Sequence, residues 1–230
     1  MTGRRLGMLA LLGAAAMFTT SGTAGAATVE NGTFETGDLS GWNEDFFGPG
    51  EWFPYNEEFG GSMRLRGVNF TVPEPPQGEF GAITDQGKPS AMFLSQKVKL
   101  KDNRRHRLRF KLAYSNRNTG GPARGPSAFG PGFFTPNHFR FGKSARPNQQ
   151  FRMDVMKPGA DIKSLKNEDV LQEVYITERG DPRRKTFRTV AANLTHLAGK
   201  TVRLRFAVVV TEAELNVGVD AVKVKTKRLG

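Results

Sequence analysis

Apolar and polar residues alternate along several separate stretches of this chain, and this period of two constrains its fold more than any other feature. In the stretch 202–210, Arg203 and Arg205 stand between apolar positions. The same alternation recurs in three earlier stretches, which are 92–100, 108–114 and 151–155. Gly, Pro, Asn and Asp separate several of these stretches, as expected of turns. Strands with one buried face pack in layers, so the pattern predicts an all-β sandwich.

The last apolar stretch carries a break in this alternation. Apolar residues occupy odd positions as far as Val219 and even positions from Val222 onwards. One regular strand cannot bury both sets on the same face. We therefore expect a β-bulge or a twist near Asp220, and bulges commonly re-aim side chains.

The first 26 residues form a unit distinct from the fold. Arg4 and Arg5 precede an apolar run that ends at Phe18, and small residues follow at 24–26. This order predicts a secretory signal peptide, residues 1–26, with residues 27–230 forming a single secreted domain. A membrane anchor is the competing interpretation, but the run is short for a bilayer span. No later segment is long and apolar enough to cross a membrane.

Residues 115–149 interrupt the strand pattern. Phenylalanines occur there among Gly and Pro, together with His138 and Arg140. We interpret the segment as a long loop insertion, since structureless loops of that length are uncommon unless functional or disordered. Two alternatives stay open: a basic aromatic surface that binds a ligand, or a loop that folds back and buries its rings.

The chain is strongly basic and has no cysteine. Its net charge is +12 with a pI near 10.2, which favours acidic partners or serves only solubility. The absence of cysteine excludes disulfides and thiol chemistry. Two dense charge runs, 104–107 and 183–185, are expected to be solvated turns.

Catalytic motifs are not evident. The three histidines are scattered, and neither His-Glu-x-x-His nor Gly-x-Ser-x-Gly occurs. Glu57 and Glu58 are sequence neighbours, whereas a glycosidase needs carboxylates that face each other across a cleft. The expectation is a non-catalytic protein, with a hydrolase as the alternative.

Five short motifs occur in an order that resembles a known family. They are Asn-Gly-Thr-Phe-Glu at 31–35, Gly-Asp-Leu-Ser-Gly-Trp at 37–42, Leu-x-Gln-x-Val at 94–98, the strand 108–112, and the segments 197–206 and 219–224 that resemble a closing hairpin. This order resembles the carbohydrate-binding-module-like jelly rolls of the galactose-binding-like superfamily. The resemblance implies an all-β, two-sheet antiparallel jelly-roll β-sandwich.

The resemblance also implies a metal site. In the family, a structural calcium joins the first strand to the last, and Glu35 and Asp220 match the carboxylates involved. Oxygens near Thr33 or Asp38 could complete the shell, because calcium takes six to eight oxygen ligands. The alternative is that the two carboxylates only accept backbone hydrogen bonds in turns.

A dense aromatic stretch between Trp42 and Phe59 provides candidate ligand-binding residues. Trp52, Tyr55 and Phe53 could stack on the flat faces of sugars, since amphipathic rings tolerate partial exposure. Trp42 occupies the core-facing position of the resembled family. The alternative is that most of these rings fill the core beneath a loop.

These observations predict a secreted, non-catalytic module that binds carbohydrate, either a polysaccharide or a cell-surface glycan. The alternative is an extracellular structural or adhesive protein that binds an acidic polymer or protein through basic aromatic loops containing His138 and Arg140. No nucleic-acid partner is expected for an exported chain. Salt separates the two hypotheses, because binding to a polyanion weakens as salt rises.

Overall fold

The computed structural model describes residues 28–58, 63–65, 68–70, 73–85, 90–116, 149–178, 180–210 and 215–229. These residues form twelve strands and one short 3-10 helix at Thr195–Leu197. The strands are β1 Asn43–Phe47, β2 Glu51–Tyr55, β3 Met63–Leu65, β4 Val68–Phe70, β5 Gly81–Asp85, β6 Ser90–Lys99, β7 Arg104–Asn116, β8 Gln150–Met156, β9 Val170–Ile176, β10 Arg184–Asn193, β11 Thr201–Val210 and β12 Leu215–Arg228. The signal-peptide prediction and most of the 115–149 insertion lie outside the described residues.

Two five-stranded antiparallel sheets form the body of the protein. Sheet A has the order β1-β6-β11-β8-β9, and sheet B has the order β10-β7-β12-β5-β2. The predicted all-β, two-sheet sandwich is therefore confirmed. Strands β11 and β12 follow each other in sequence but lie in different sheets, so the predicted closing hairpin is wrong. The described residues contain no helix that is long and apolar enough to span a membrane.

The core lies between the two sheets, where the alternating apolar residues converge. Phe206 is at its centre, with ring centroids 5.2 Å from Phe110 and 5.8 Å from Trp42. The segment before β1 contributes Phe34, whose ring stacks on Trp42 at 5.7 Å. Gln96 fastens this segment to β6, because its amide donates to the carbonyl oxygens of Glu30 and Gly41 and accepts from the Glu30 N–H. Gln96 thus closes one end of the sandwich over the core.

The predicted irregularity near Asp220 is confirmed. Strand β12 pairs with β7 on both sides of this point, and the register shifts between Asp220 and Lys223. Ala221 adopts a φ of 54°, in the left-handed region that non-glycine residues rarely occupy. The bulge changes the parity of the strand, so that both Val219 and Val222 point into the core.

The centre of sheet A is buried on both faces, which differs from the one-sided burial predicted from alternation. Residues 157–169, between β8 and β9, lie over its outer face and cover a second apolar cluster of Ala91, Phe93, Ala207 and Val209. Because this cover comes from a loop distant in sequence, the period-two pattern of β6 and β11 contains no sign of it.

The charge run 104–107 is also not a turn. It forms the start of β7 and pairs with the end of β12, and residues 184–185 of the second run begin β10. The interpretation of both runs as solvated turns is wrong, because backbone hydrogen bonds to a neighbouring strand hold these polar residues in β-structure.

Candidate functional site

The bulge in β12 joins the two ends of the described chain. The N–H of Val222, which the bulge withdraws from the ladder with β7, donates to the carbonyl oxygen of Gly32 at 2.7 Å. A side chain on Gly32 would overlap the carbonyl oxygen of Val222, so only glycine allows this close approach. The predicted proximity of the chain's beginning and end therefore holds at this junction.

Asp220 lies buried at the junction, with Glu35 near enough to act on it. Asp220 Oδ1 accepts the Ala221 N–H, while its Oδ2 is buried, with only a weak contact to the backbone N–H of Gln77. The pKa of Asp220 is raised to about 7, mainly by burial and also by the negative charge of Glu35. Backbone N–H groups of Ala221 and Gln77, together with the charge of Lys223, oppose this rise.

Glu35 itself acts as a turn acceptor. Its two carboxylate oxygens accept the N–H groups of Glu79 and Phe80 at 2.9 and 3.2 Å. Gly78 packs directly against this carboxylate, with no room for a side chain. Glu35 thus lies near Asp220. It also accepts backbone hydrogen bonds in a turn, which is the alternative to a role as a calcium ligand.

The arrangement fits a calcium ion in its donor chemistry. Asp220 and Glu35 are hard oxygen donors of like charge, near enough for Glu35 to raise the pKa of Asp220, and Asp220 Oδ2 is buried without a well-formed hydrogen bond. A divalent cation would remove both the repulsion and the unpaired acceptor. No group of three or more His, Asp or Glu side chains suited to a metal occurs among the described residues, so other ligands would be backbone carbonyls.

The other two predicted metal residues behave differently. Thr33 lies half-buried in the turn before Phe34, beside the junction. Asp38 is exposed, and its carboxylate accepts the Thr36 hydroxyl at 2.6 Å and the Ser40 N–H at 3.0 Å. These hydrogen bonds lower the pKa of Asp38. Asp38 therefore stabilises its own turn, and no described contact connects it with Asp220.

The stacking hypothesis does not hold for Trp52 and Tyr55. Their side chains are 2% and 1% exposed, so neither ring offers a face to a ligand. Tyr55 donates its hydroxyl to the carbonyl oxygen of Pro73 at 3.0 Å, and burial raises its pKa. Trp52 belongs to the core between the sheets, as the core-filling alternative predicts, whereas Tyr55 is buried beside Gly81 and Gly218 of sheet B.

The remaining aromatic residues and predicted ligand residues differ in their exposure. Phe53 is half-buried on β2, and Trp42 is in the core as expected, with its indole N–H donating to Asn31. Phe46 is the exposed ring of the stretch, 57% accessible on the edge strand β1. His138 and Arg140 lie outside the described residues.

A row of cations on the outer face of sheet B is the feature that sequence analysis missed. The register of β7 and β12 places Arg105 opposite Lys227, Arg107 opposite Lys225, and Arg109 opposite Lys223. Lys111 continues the row on β7. We call these seven residues the basic ladder. None of them forms an ion pair within the described part of the chain.

Five residues of the basic ladder line an open groove of about 490 Å³, namely Arg105, Arg107, Arg109, Lys225 and Lys227. Asn193 and Thr195, from β10 and the 3-10 helix, lie along the same groove, and a smaller depression of about 160 Å³ extends it past Arg109 and Lys223. No carboxylate is among the residues that line either depression. The groove is therefore a strongly positive, hydrogen-bonding surface.

His106 is part of the groove wall but is held in the structure. Its Nε2 lies 2.8 Å from the carbonyl oxygen of Lys101, and its Nδ1 lies 3.2 Å from the Thr226 hydroxyl. The ring is 1% exposed. With both ring nitrogens engaged and no carboxylate in the lining, the groove offers contacts for binding and no pair of groups for acid–base catalysis.

The 157–169 cover of sheet A is held by two arginines of β11. Arg203 donates to the carbonyl oxygens of Ala160 and Pro158 at 2.8 and 2.7 Å. Arg205 donates to those of Ile162 and Ser164, and also pairs with buried Asp154 at 2.5 Å. This use of arginine explains why charged residues alternate inside a buried strand, and it leaves sheet B as the sheet with the open face.

Solved structures of other proteins resemble this chain in fold. The K3 cleaved adhesin domain of Lys-gingipain from Porphyromonas gingivalis W83 matches with a TM-score of 0.50 and 12% identity, over 88% of this chain and 99% of that chain. TmCBM61, solved with β-1,4-galactotriose, matches with a TM-score of 0.49 and 12% identity, over 88% of this chain and all of that chain. The Stig cyclase Fisc from Fischerella sp. TAU matches with a TM-score of 0.42 and 15% identity, over 89% of this chain and 98% of that chain.

The match to the K3 cleaved adhesin domain supports the sandwich fold that the sequence motifs predict. No family model and no curated protein matched the chain. A fold by itself does not assign an activity. Function has to be argued from the surface of this chain.

Proposed function

We propose that this chain is a non-catalytic carbohydrate-binding module that acts outside the cell. The groove on the outer face of sheet B carries this proposal. Its lining combines guanidinium, ammonium, amide and hydroxyl groups, which are the side chains that hydrogen-bond to sugar hydroxyl and acidic groups. Export rests on the signal-peptide pattern of residues 1–26.

The rigid platform of the groove supports binding. Strands β7, β10 and β12 are neighbours in one sheet, so the ligand-facing side chains stand on paired backbones and not on a loop. Such a platform limits the conformational entropy lost on binding. A long open groove also suits an extended polymer better than a small enclosed ligand.

Calcium belongs to the proposal as a structural ion. Glu35 and Asp220 would hold it between the first turn and the bulge of β12. There it would stabilise the junction of the two ends of the chain, on the side of sheet B where Lys111 pairs with Asp220. The ion would act on stability, and sugar contacts would belong to the groove.

Affinity electrophoresis of the purified chain against a panel of neutral and acidic polysaccharides tests the proposal. We expect retardation by at least one polysaccharide, reduced in the double variant Lys225→Ala/Lys227→Ala. The matched control is Lys97→Ala/Lys157→Ala, which removes two exposed lysines that do not line the groove. Absence of retardation by every polysaccharide would refute a carbohydrate-binding function.

A further inference from the structure

The basic ladder places like charges where a sheet normally avoids them. Three cross-strand pairs, Arg105 with Lys227, Arg107 with Lys225 and Arg109 with Lys223, are directly opposite one another. Like charges in such positions destabilise a sheet. Because the chain has 22 Asp and Glu residues available, an unneutralised row at the centre of a sheet indicates a role other than folding.

The ladder also lacks internal counterions. Among the described residues, the ion pairs involve other cations, namely Arg152, Lys166 and Arg205. Buried Asp220 lies near enough to the ladder to feel the charge of Lys223. The positive potential of the groove therefore remains available to a ligand.

The spacing of the ladder is regular in two directions. Alternate residues of a strand are about 7 Å apart, so the outward cations of β12 from Lys223 to Lys227 span about 14 Å. The cations of β7 form a second row about 5 Å away. Two parallel rows of this length fit a linear polymer with repeated negative groups and exceed what one small anion can contact.

We propose that the groove recognises an acidic polysaccharide, a sugar polymer with carboxylate or sulfate groups along its length. This inference rests on the proposed carbohydrate-binding function and defines its ligand class. Arginine guanidinium groups form paired hydrogen bonds with such planar or tetrahedral anions. Lysines add charge, while Asn193 and Thr195 provide polar contacts beside them.

The composition of the groove favours a polysaccharide over nucleic acid. Proteins that hold single strands combine positive charge with aromatic rings on which bases stack. No Phe, Tyr or Trp lines the larger depression, and Phe110 beneath the smaller one is 1% exposed. The groove thus has the charge for a polyanion and lacks the rings for bases.

Isothermal titration with matched polymers tests the inference. The probes are a polyuronate, a sulfated polysaccharide, a neutral polysaccharide and a single-stranded oligonucleotide, each at low and at high salt. We expect the acidic polysaccharides to bind at least about tenfold more tightly than the neutral one, with affinity that falls steeply as salt rises. The two acidic probes show which anionic group is preferred.

Charge-neutral variants localise the site. Lys225→Gln/Lys227→Gln should weaken binding of the acidic polymer about tenfold and flatten its salt dependence. Lys97→Gln/Lys157→Gln, with the same loss of charge elsewhere, should change it less than about threefold. Circular dichroism of all variants provides the folding control.

Three results would overturn the inference. Equal binding of neutral and acidic polysaccharides, without salt dependence, would leave the carbohydrate-binding proposal intact and remove the acidic ligand. Equal weakening by both double variants would mean that net charge and not the groove carries binding. Oligonucleotide binding as tight as that of the acidic polysaccharide would assign the groove to nucleic acid.

Discussion

Asp220 and Gly32 show how single residues fasten the two ends of the chain. Gly32 allows the backbone of the first turn to reach Val222, and Asp220 stands at the bulge that frees the Val222 N–H. Gly32 is needed because it has no side chain, and Asp220 is needed because of its carboxylate. Changes at these positions are therefore expected to act on the junction and leave the sheets intact.

Substitution Gly32→Ala should destabilise the protein by about 1–3 kcal/mol, because the new methyl group would overlap the Val222 carbonyl and separate the two segments. Chemical denaturation measures the effect. Gly159→Ala is the control, since nothing lies within 4 Å of the added atom. Equal stability of the two variants would contradict the close approach at Gly32.

The raised pKa of Asp220 has a consequence for stability. Between the ordinary value of 3.8 and about 7, the folded protein keeps a proton on Asp220 that the unfolded chain releases. In chelator, stability contributed by this residue should therefore fall as pH rises through that window, by about 1 kcal/mol per pH unit. Asp220→Asn should remove this decline, which thermal denaturation across pH detects.

Calcium should act in the opposite direction. Above the pKa of Asp220 the carboxylate is charged, and a cation held between it and Glu35 would favour the folded state. Added calcium should then raise the melting temperature of the wild type and leave Asp220→Asn unchanged. An equal calcium response in both proteins would exclude Asp220 as a ligand.

At the scale of elements, the segment 157–169 depends on the arginines of β11. Arg203 and Arg205 each donate to two carbonyl oxygens of this segment, and Arg205 also balances Asp154. Lys163 adds a contact by lying 4.3 Å from the centre of the Phe47 ring. A loop of polar sequence thus becomes a fixed cover of an apolar sheet face.

Substitution Arg203→Ala should loosen this cover without unfolding the protein. Amide hydrogen exchange should become faster within 157–169, since the carbonyls of Ala160 and Pro158 lose their donor. Exchange in β7 and β12, on the other sheet, should be unchanged. Lys97→Ala, on the strand paired with Arg203, is the control; faster exchange there as well would indicate a general charge effect.

At the scale of the whole molecule, charge is distributed unevenly between the two sheet faces. The centre of sheet A holds the charged side chains of Arg152, Asp154 and Arg205, which are paired as Arg152–Asp154 and Arg205–Asp154. Sheet B leaves the basic ladder open to solvent. The seven cations of the basic ladder therefore give this face a positive potential.

Repulsion within the ladder should make stability depend on salt. The melting temperature should rise with sodium chloride, because salt screens exposed like charges. Lys225→Gln should raise stability at low salt and reduce the salt response, since it removes the charge opposite Arg107. Lys157→Gln is the matched control, and an identical response in both variants would argue against repulsion localised in the ladder.

The parity of neighbouring residues was enough to predict the strands within 92–100, 108–114, 151–155 and 202–210, the sandwich, and the irregularity at Asp220. The sequence also indicated Glu35 and Asp220 as possible neighbours through the order of the motifs. It did not distinguish buried from exposed rings at Trp52 and Tyr55, since an aromatic residue suits both environments. That distinction depends on what covers the strand.

Tertiary structure alone decided the cover of sheet A and the basic ladder. The cations of β7 and β12 are more than a hundred positions apart in sequence, and only their pairing register brings them together. Likewise, the arginines of β11 become buried only because a distant segment supplies carbonyl oxygens to them. The periodicity of a sequence predicts on which face of a strand a side chain lies. The order of the strands and the packing of the loops determine which residues cover that face.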